Sequence, residues 1–173
     1  MTTTGLTALE KQASECGLLL RVKVRRPLNL WAFRLLVGRH LSPEKVQILG
    51  EMKAWAYYGT NGLQLDTMQV RKGSPEGVGH LIWAATMAWA LEETICKSAR
   101  LLAIHDDSRQ HKRLTRYFRM RGFEFVRDVG SAPSDLLLRV VWGGAGTLMV
   151  ANCNEVYKSS RNLWEMTMNN SST

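Results

Sequence analysis

Two glycines, Gly77 and Gly79, stand at the head of the long apolar run "SPEGVGHLIWAATMAWALEE", directly after the strand-like "LQLDTMQV". Glycine at such a place acts through its backbone. Successive N–H groups without a shielding Cβ can turn into a concavity at a helix N-terminus, where the helix dipole adds partial positive charge. The guest for such a cradle is a phosphate or pyrophosphate. A plain turn between core elements uses glycines too, and it is the strand before and the helix after that favour the phosphate reading. A second cluster, Gly143, Gly144 and Gly146, lies between two strand-like runs with no helix following, so it reads as a hairpin loop or bulge.

Side chains offer fewer candidates. Asp66 is the only acid in "LQLDTMQV". Buried next to Met68, its carboxyl would have a raised pKa suited to a general base; the alternative is a structural bond to a neighbouring backbone or basic group. His105 and His111 are further bases, or structural histidines. Arg109, Lys112, Arg113, Arg116 and Arg119 recur at helical spacing and form one basic stripe. That stripe is a solvated face, a contact to cofactor phosphates, or a docking surface for an acidic protein partner. Arg21, Lys23 and Arg25 form a second basic patch. The net charge of +8 favours an anionic partner of some kind. The Trp and Tyr residues sit mostly at core-facing positions rather than among these charges, which argues against nucleic acid.

The elements that must hold these residues follow from periodicity. Thr7 to Cys16 reads as a helix stopped by Gly17, "LLLRVKVRR" as a half-buried strand, and "NLWAFRLLVGRHL" as a helix. "VQILG" and "MKAWAYYG" read as two strands, with "TNG" a hairpin signal leading to "LQLDTMQV". After the long helix come a strand at "RLLAIHD", a helix over Ser108 to Arg121, and strands at "FEFVRDV", "LLLRVVW" and "TLMVANC". From Tyr157 the chain turns polar and reads as a mobile tail. The organisation is an N-terminal helix in 1–17, one mixed α/β domain in 18–156 and a tail in 157–173. A strand–helix–strand crossover of this length makes its two strands parallel neighbours. Cys16, Cys96 and Cys153 have neither metal nor redox spacing and read as reduced thiols in a cytoplasmic protein. The longest uncharged apolar run is too short for a bilayer.

"ILGEMKAWAYYGTNGLQLDTMQV", "SPEGVGHLIW", "LLAIHDD" and "YFRMRGFEFV" together resemble the GCN5-related N-acetyltransferase superfamily, over Val46 to Asp128. The resemblance implies a twisted mixed sheet flanked by helices, with acetyl-CoA in a V-shaped opening between the fourth and fifth strands. The family's loop pattern, Gln/Arg-x-x-Gly-x-Gly/Ala, falls on Ser74 to Gly79. Ser74 replaces the usual Gln or Arg, Pro75 lacks an N–H, and Glu76 brings a negative charge beside the pyrophosphate position. The cofactor would touch Met68 and Val70 of the fourth strand, the loop residues Ser74, Gly77, Val78 and Gly79, and Phe118. At Phe118 the family often has a tyrosine that protonates the leaving thiolate; Tyr117 is its neighbour, about 100° round the helix. His111 stands where many members have asparagine. The implied activity is acetyl transfer from acetyl-CoA to an amine, with Asp66 as base and no metal. The alternative is a binding or assembly module that kept the fold and lost the chemistry, acting through its basic surface.

Overall fold

The structure, a computed structural model, describes residues 5–105, 107–142 and 144–171. Its centre is a seven-stranded sheet: β1 (Leu19–Arg25), β2 (Trp31–Ser42), β3 (Lys45–Ala56), β4 (Leu63–Val70), β5 (Ser98–Ile104), β6 (Glu124–Val129) and β7 (Gly146–Asn152), in the order β1-β2-β3-β4-β5-β7-β6. Every neighbouring pair is antiparallel except β4 and β5, which the crossover makes parallel. The helices are α1 (Leu6–Glu15), α2 (Val78–Glu93), α3 (Ser108–Met120), α4 (Leu136–Trp142) and α5 (Cys153–Ser171). This is the single mixed α/β domain expected from the sequence, a sheet flanked by helices.

The crossover helix α2 organises the core. Its residues from Leu81 to Ala90 are all buried, so it needs cover on every side. β2, β3 and β4 cover one side and α1 and α5 the other. Phe33 of β2 stacks on Trp89 at 4.4 Å between ring centroids, and Trp83 meets Phe118 and Phe123. Phe33, Leu35 and Val37 of β2 and Met52, Ala54 and Ala56 of β3 point to this helix side. Lys23, Arg34 and Lys53, which are register partners across β1, β2 and β3, share the opposite, exposed face.

Four elements differ from the sequence reading. Residues of "NLWAFRLLVGRHL" form β2 rather than a helix. Leu36 on the outward face fills the gap in the alternation and imitates helical spacing, but the inward set Phe33, Leu35 and Val37 has period two. "VQILG" and "MKAWAYYG" belong to the one strand β3 up to Ala56, with a register shift opposite Val37 and Gly38 in place of a turn. "LLLRVVW" is the helix α4, entered through a 3-10 turn at Pro133–Asp135. The Asp135 carboxylate accepts from Gly130 N–H and from Arg127, and these bonds hold its carboxyl below the ordinary carboxylate range. Finally, the polar segment after Asn152 is the 19-residue helix α5 and not a tail. Cys153, Val156, Ser160 and Trp164 are its buried positions, three or four apart. Asn152 caps it, its side chain accepting from the N–H groups of Asn154 and Glu155. Gly144 follows α4 and Gly146 opens β7, so this stretch joins a helix to a strand rather than two strands; Gly143 is outside the described residues.

Cys96 and Cys153 are buried and Cys16 is exposed, all three as free thiols. Burial, then the neighbouring Cys96, pushes the Cys153 thiol up to about 12. A thiolate-selective reagent at pH 8 is therefore expected to modify one cysteine in the native protein and three in denaturant. Rapid loss of all three in native buffer would contradict the packing of α5 on α2. No helix among the described residues is long and apolar enough to cross a membrane.

Candidate functional site

β4 and β5 meet at only two register pairs, Leu63 with Ala99 and Gln64 with Arg100, and then part. The cause is local. Lys53 faces Thr67 and Ala54 faces Leu65, so Asp66 is an extra residue in β4, opposite nothing. Such a bulge bends its strand and sharpens the twist. β4 leans away from β5, and a wedge opens through the middle of the sheet.

The loop after β4 leads to the open end of this wedge. On the helix side a hollow of about 420 Å³ is lined by Met68 and Val70 from β4, Pro75, Gly77, Gly79 and His80 from the loop and first turn of α2, Tyr117 from α3 and Arg121 just after it. Gly77, the N-cap of α2, has a left-handed backbone (φ 90°) that few other residues adopt. Val78 N–H reaches Pro75 O at a long 3.4 Å, and Leu81 N–H makes an ordinary bond to Gly77 O at 2.9 Å. Among the described residues, no backbone oxygen engages the N–H of Gly77, Gly79 or His80. These are the unsatisfied donors of a helix start. The loop departures settle into place around them. Ser74 Oγ donates to Leu49 O at 2.9 Å and ties the loop to β3. Glu76 lines a different hollow, with Glu15, Cys16 and Trp164, on the α1 and α5 side.

His80 was not singled out by the sequence reading. Its Nδ1 accepts from Arg121 Nη1 at 2.6 Å, which requires a neutral ring. Burial foremost, then the Arg121 charge, lower its pKa from 6.5, with Glu76 opposing. The unfolded chain therefore takes up this proton before the folded one does. The contribution of neutral His80 to stability is complete above pH 6.5 and is lost as pH falls through the lowered folded value. The melting midpoint of the native protein is expected to fall more steeply below pH 6.5 than that of His80→Gln, and parallel curves would rule out this coupling.

Tyr117 and Phe118 are placed differently from what the resemblance implies. Phe118 packs inward, edge-on to Trp83 and Phe123. Tyr117 lines the hollow instead, and Trp83 Nε1 donates to its hydroxyl oxygen at 2.9 Å. Indole can only donate, so the phenol keeps its own proton to give. The Arg121 guanidinium lies 5.2 Å from the Tyr117 ring centroid.

Asp66 is exposed, not buried beside Met68. The bulge turns it to the outward face of the sheet, into a hollow shared with Lys23, Arg25, Arg34, Lys53 and Trp55. Met68, opposite Met52, belongs to the helix side. His105 and His111 stack on each other at 3.5 Å, each with Nε2 within reach of the Thr147 hydroxyl, which donates to Asp128. They form a tie between β5, α3 and β7. All five cations of the α3 stripe are exposed. Arg109 and Arg113 line a hollow with Tyr117, adjoining the first, so two of the five face the cleft side. Among the described residues no three His, Cys, Asp or Glu side chains gather as a metal site.

No family model matches the sequence, and no curated protein matches it. Two solved structures are similar in fold. One is an uncharacterized protein from Bacillus halodurans (TM-score 0.49, 13% identity, 79% of this chain and 66% of that chain). The other is a nourseothricin acetyltransferase (TM-score 0.47, 14% identity, 82% of this chain and 93% of that one). The chain thus spans just under two thirds of the first protein. The chemistry of the site rests on this chain's own strands, loop and side chains.

Proposed function

We propose that the protein is an acyl-CoA-dependent N-acyltransferase that moves an acetyl group from acetyl-CoA to an amine. The observation that carries this reading is the wedge between the parallel strands β4 and β5, with the unsatisfied N–H groups of Gly77, Gly79 and His80 at its open end. A pyrophosphate would accept from those groups. Arg109 and Arg113 are in position to meet further phosphate charge, and the acyl arm would run along Met68 and Val70. Ser74 supports the loop from behind, and Val78 and Phe118 support it through the core.

The reaction needs one base and one acid. The amine nitrogen, once deprotonated, attacks the thioester carbonyl carbon; the C–N bond forms and the C–S bond breaks. The amine proton passes to the Asp66 carboxylate, directly or through water, and Tyr117 gives its phenol proton to the departing thiolate. Asp66 on the outward face and Tyr117 on the helix side approach the wedge from opposite faces of the sheet. The acceptor and the cofactor therefore enter from opposite sides and meet in the opening.

The test is the melting temperature with and without acetyl-CoA, with desulfo-CoA and ATP as companions. At 100 times the dissociation constant a ligand adds about 2.7 kcal/mol, or about 5–10 °C for a chain of this size. A shift with both CoA species but not ATP supports the reading. No shift at millimolar acetyl-CoA would overturn it and leave the second reading, a module that kept the fold and lost the chemistry, which Pro75, with no N–H to give a phosphate, favours. The exposed α3 stripe would then be its contact to an acidic protein.

A further inference from the structure

The outward face of the sheet carries an unusual arrangement of charge. Lys23, Arg25, Arg34 and Lys53 come from three adjacent strands and line one hollow of about 300 Å³, with Asp66 as its only carboxylate. Arg34 is paired with Glu51 at 3.0 Å. Among the described residues no carboxylate lies within ion-pair distance of Lys23, Arg25 or Lys53. Like charges gathered in a concave site raise the local potential and draw in anions.

A second observation points the same way. Gln64 is the register partner of Trp55 on one side, which also lines this hollow, and of Arg100 on the other. Gln64 Nε2 and Arg100 Nε are both buried without a hydrogen-bond partner. Buried donors are normally satisfied, so an orphaned pair calls for a missing acceptor. They sit at the last register pair before the strands part, at the apex of the wedge.

We propose that this face is the acceptor side and that the acceptor is an anionic amine: a primary amine carrying a carboxylate or phosphate a few atoms from its nitrogen. This rests on the acyl-transfer reading above. The anionic group would be held by Lys23, Arg25 and Lys53, leaving the amine beside Asp66. The three unpaired cations then have one partner in common. A polyamine would meet three unpaired cations against one carboxylate and be repelled, and a neutral amine would gain nothing from them.

The experiment combines binding with turnover. Glutamate and O-phosphoethanolamine are titrated calorimetrically into the full chain without acetyl-CoA, beside ethanolamine and spermidine. The same four are then assayed as acceptors by release of free CoA. The expected result is binding of one or both anionic amines, with the stronger arm telling carboxylate from phosphate. Acetylation should follow the same preference. Lys23→Glu/Lys53→Glu should raise KM for the anionic acceptor at least tenfold, with KM for acetyl-CoA unchanged. Lys23→Ala/Lys53→Ala serves if the double reversal fails to fold. Failure of both anionic amines to bind, a preference for spermidine or ethanolamine, or an unchanged KM in the variants would each overturn the inference. Anion binding lost in the variants but with no acetylation would uphold the anion site and count against the transfer chemistry.

Discussion

Gly79→Glu is expected to abolish the acetyl-CoA-dependent rise in melting temperature while leaving the free protein folded. A Cβ at Gly79 would meet nothing closer than Val70 at 3.9 Å and Met68 at 4.0 Å, so the position has room and its backbone is not left-handed. The added carboxylate would project among the N–H groups proposed to hold pyrophosphate and oppose it with like charge. The whole ligand contribution, about 2.7 kcal/mol at 100 times the dissociation constant, should be lost. The neighbouring Gly77 is the poorer test. A Cβ there would lie 3.0 Å from Thr167 and 3.1 Å from Trp164 of α5, on a backbone at φ +90°. Gly77→Glu would disturb the packing of α5 as well as the ligand. An undiminished acetyl-CoA shift in Gly79→Glu would show that the loop does not hold the cofactor.

Tyr117→Phe is expected to lower kcat by about a hundredfold, the low end for a lost general acid, with KM for acetyl-CoA little changed. The substitution removes one oxygen and leaves the ring under Arg121. It also frees Trp83 Nε1, so the variant's melting temperature should be measured beside its rate. Phe118→Tyr in the same background should not restore the rate, because that side chain packs on Trp83 and Phe123 rather than in the hollow. Rescue by Phe118→Tyr, or full activity in Tyr117→Phe, would take the proton-donor role away from Tyr117.

The parts of this fold written in the sequence are those with one strong period or one strong punctuation. The long helix, the hairpin at "TNG", the alternation of β1 and the glycines opening α2 could be read because each involves neighbours in the chain. β2 was misread because Leu36, apolar on an outward face, blurs a period of two into one of 3.6. α4 was misread because its valines and tryptophan favour strands, whereas its start is set by Asp135 bonding back to Gly130 and Arg127. α5 carried a legible signal, an Asn152 cap with Glu155 three residues on, hidden by the polar composition after it.

At the site, the loop was legible and the side chains less so. The resemblance pointed to Phe118 rather than its neighbour Tyr117, a one-residue difference that on a helix turns a cleft residue into a core residue. Asp66 stands in its strand as read, but its surroundings were not readable, because a bulge is a relation between two strands. His80 gave no signal at all: its partner Arg121 is 41 residues away and comes close only through packing.

The two-pair junction between β4 and β5 has a dynamic consequence. These are neighbouring strands inside a seven-stranded sheet, yet their register pairs end at Gln64 and Arg100, well short of the strand ends at Val70 and Ile104. Amide protons there should exchange with solvent at the rate of an outermost strand, although the amides bonded to β3 and β7 on the far sides stay protected. The middle of the sheet is thus its most open seam, and a ligand lying in the wedge would be felt first as slowed hydrogen exchange along it.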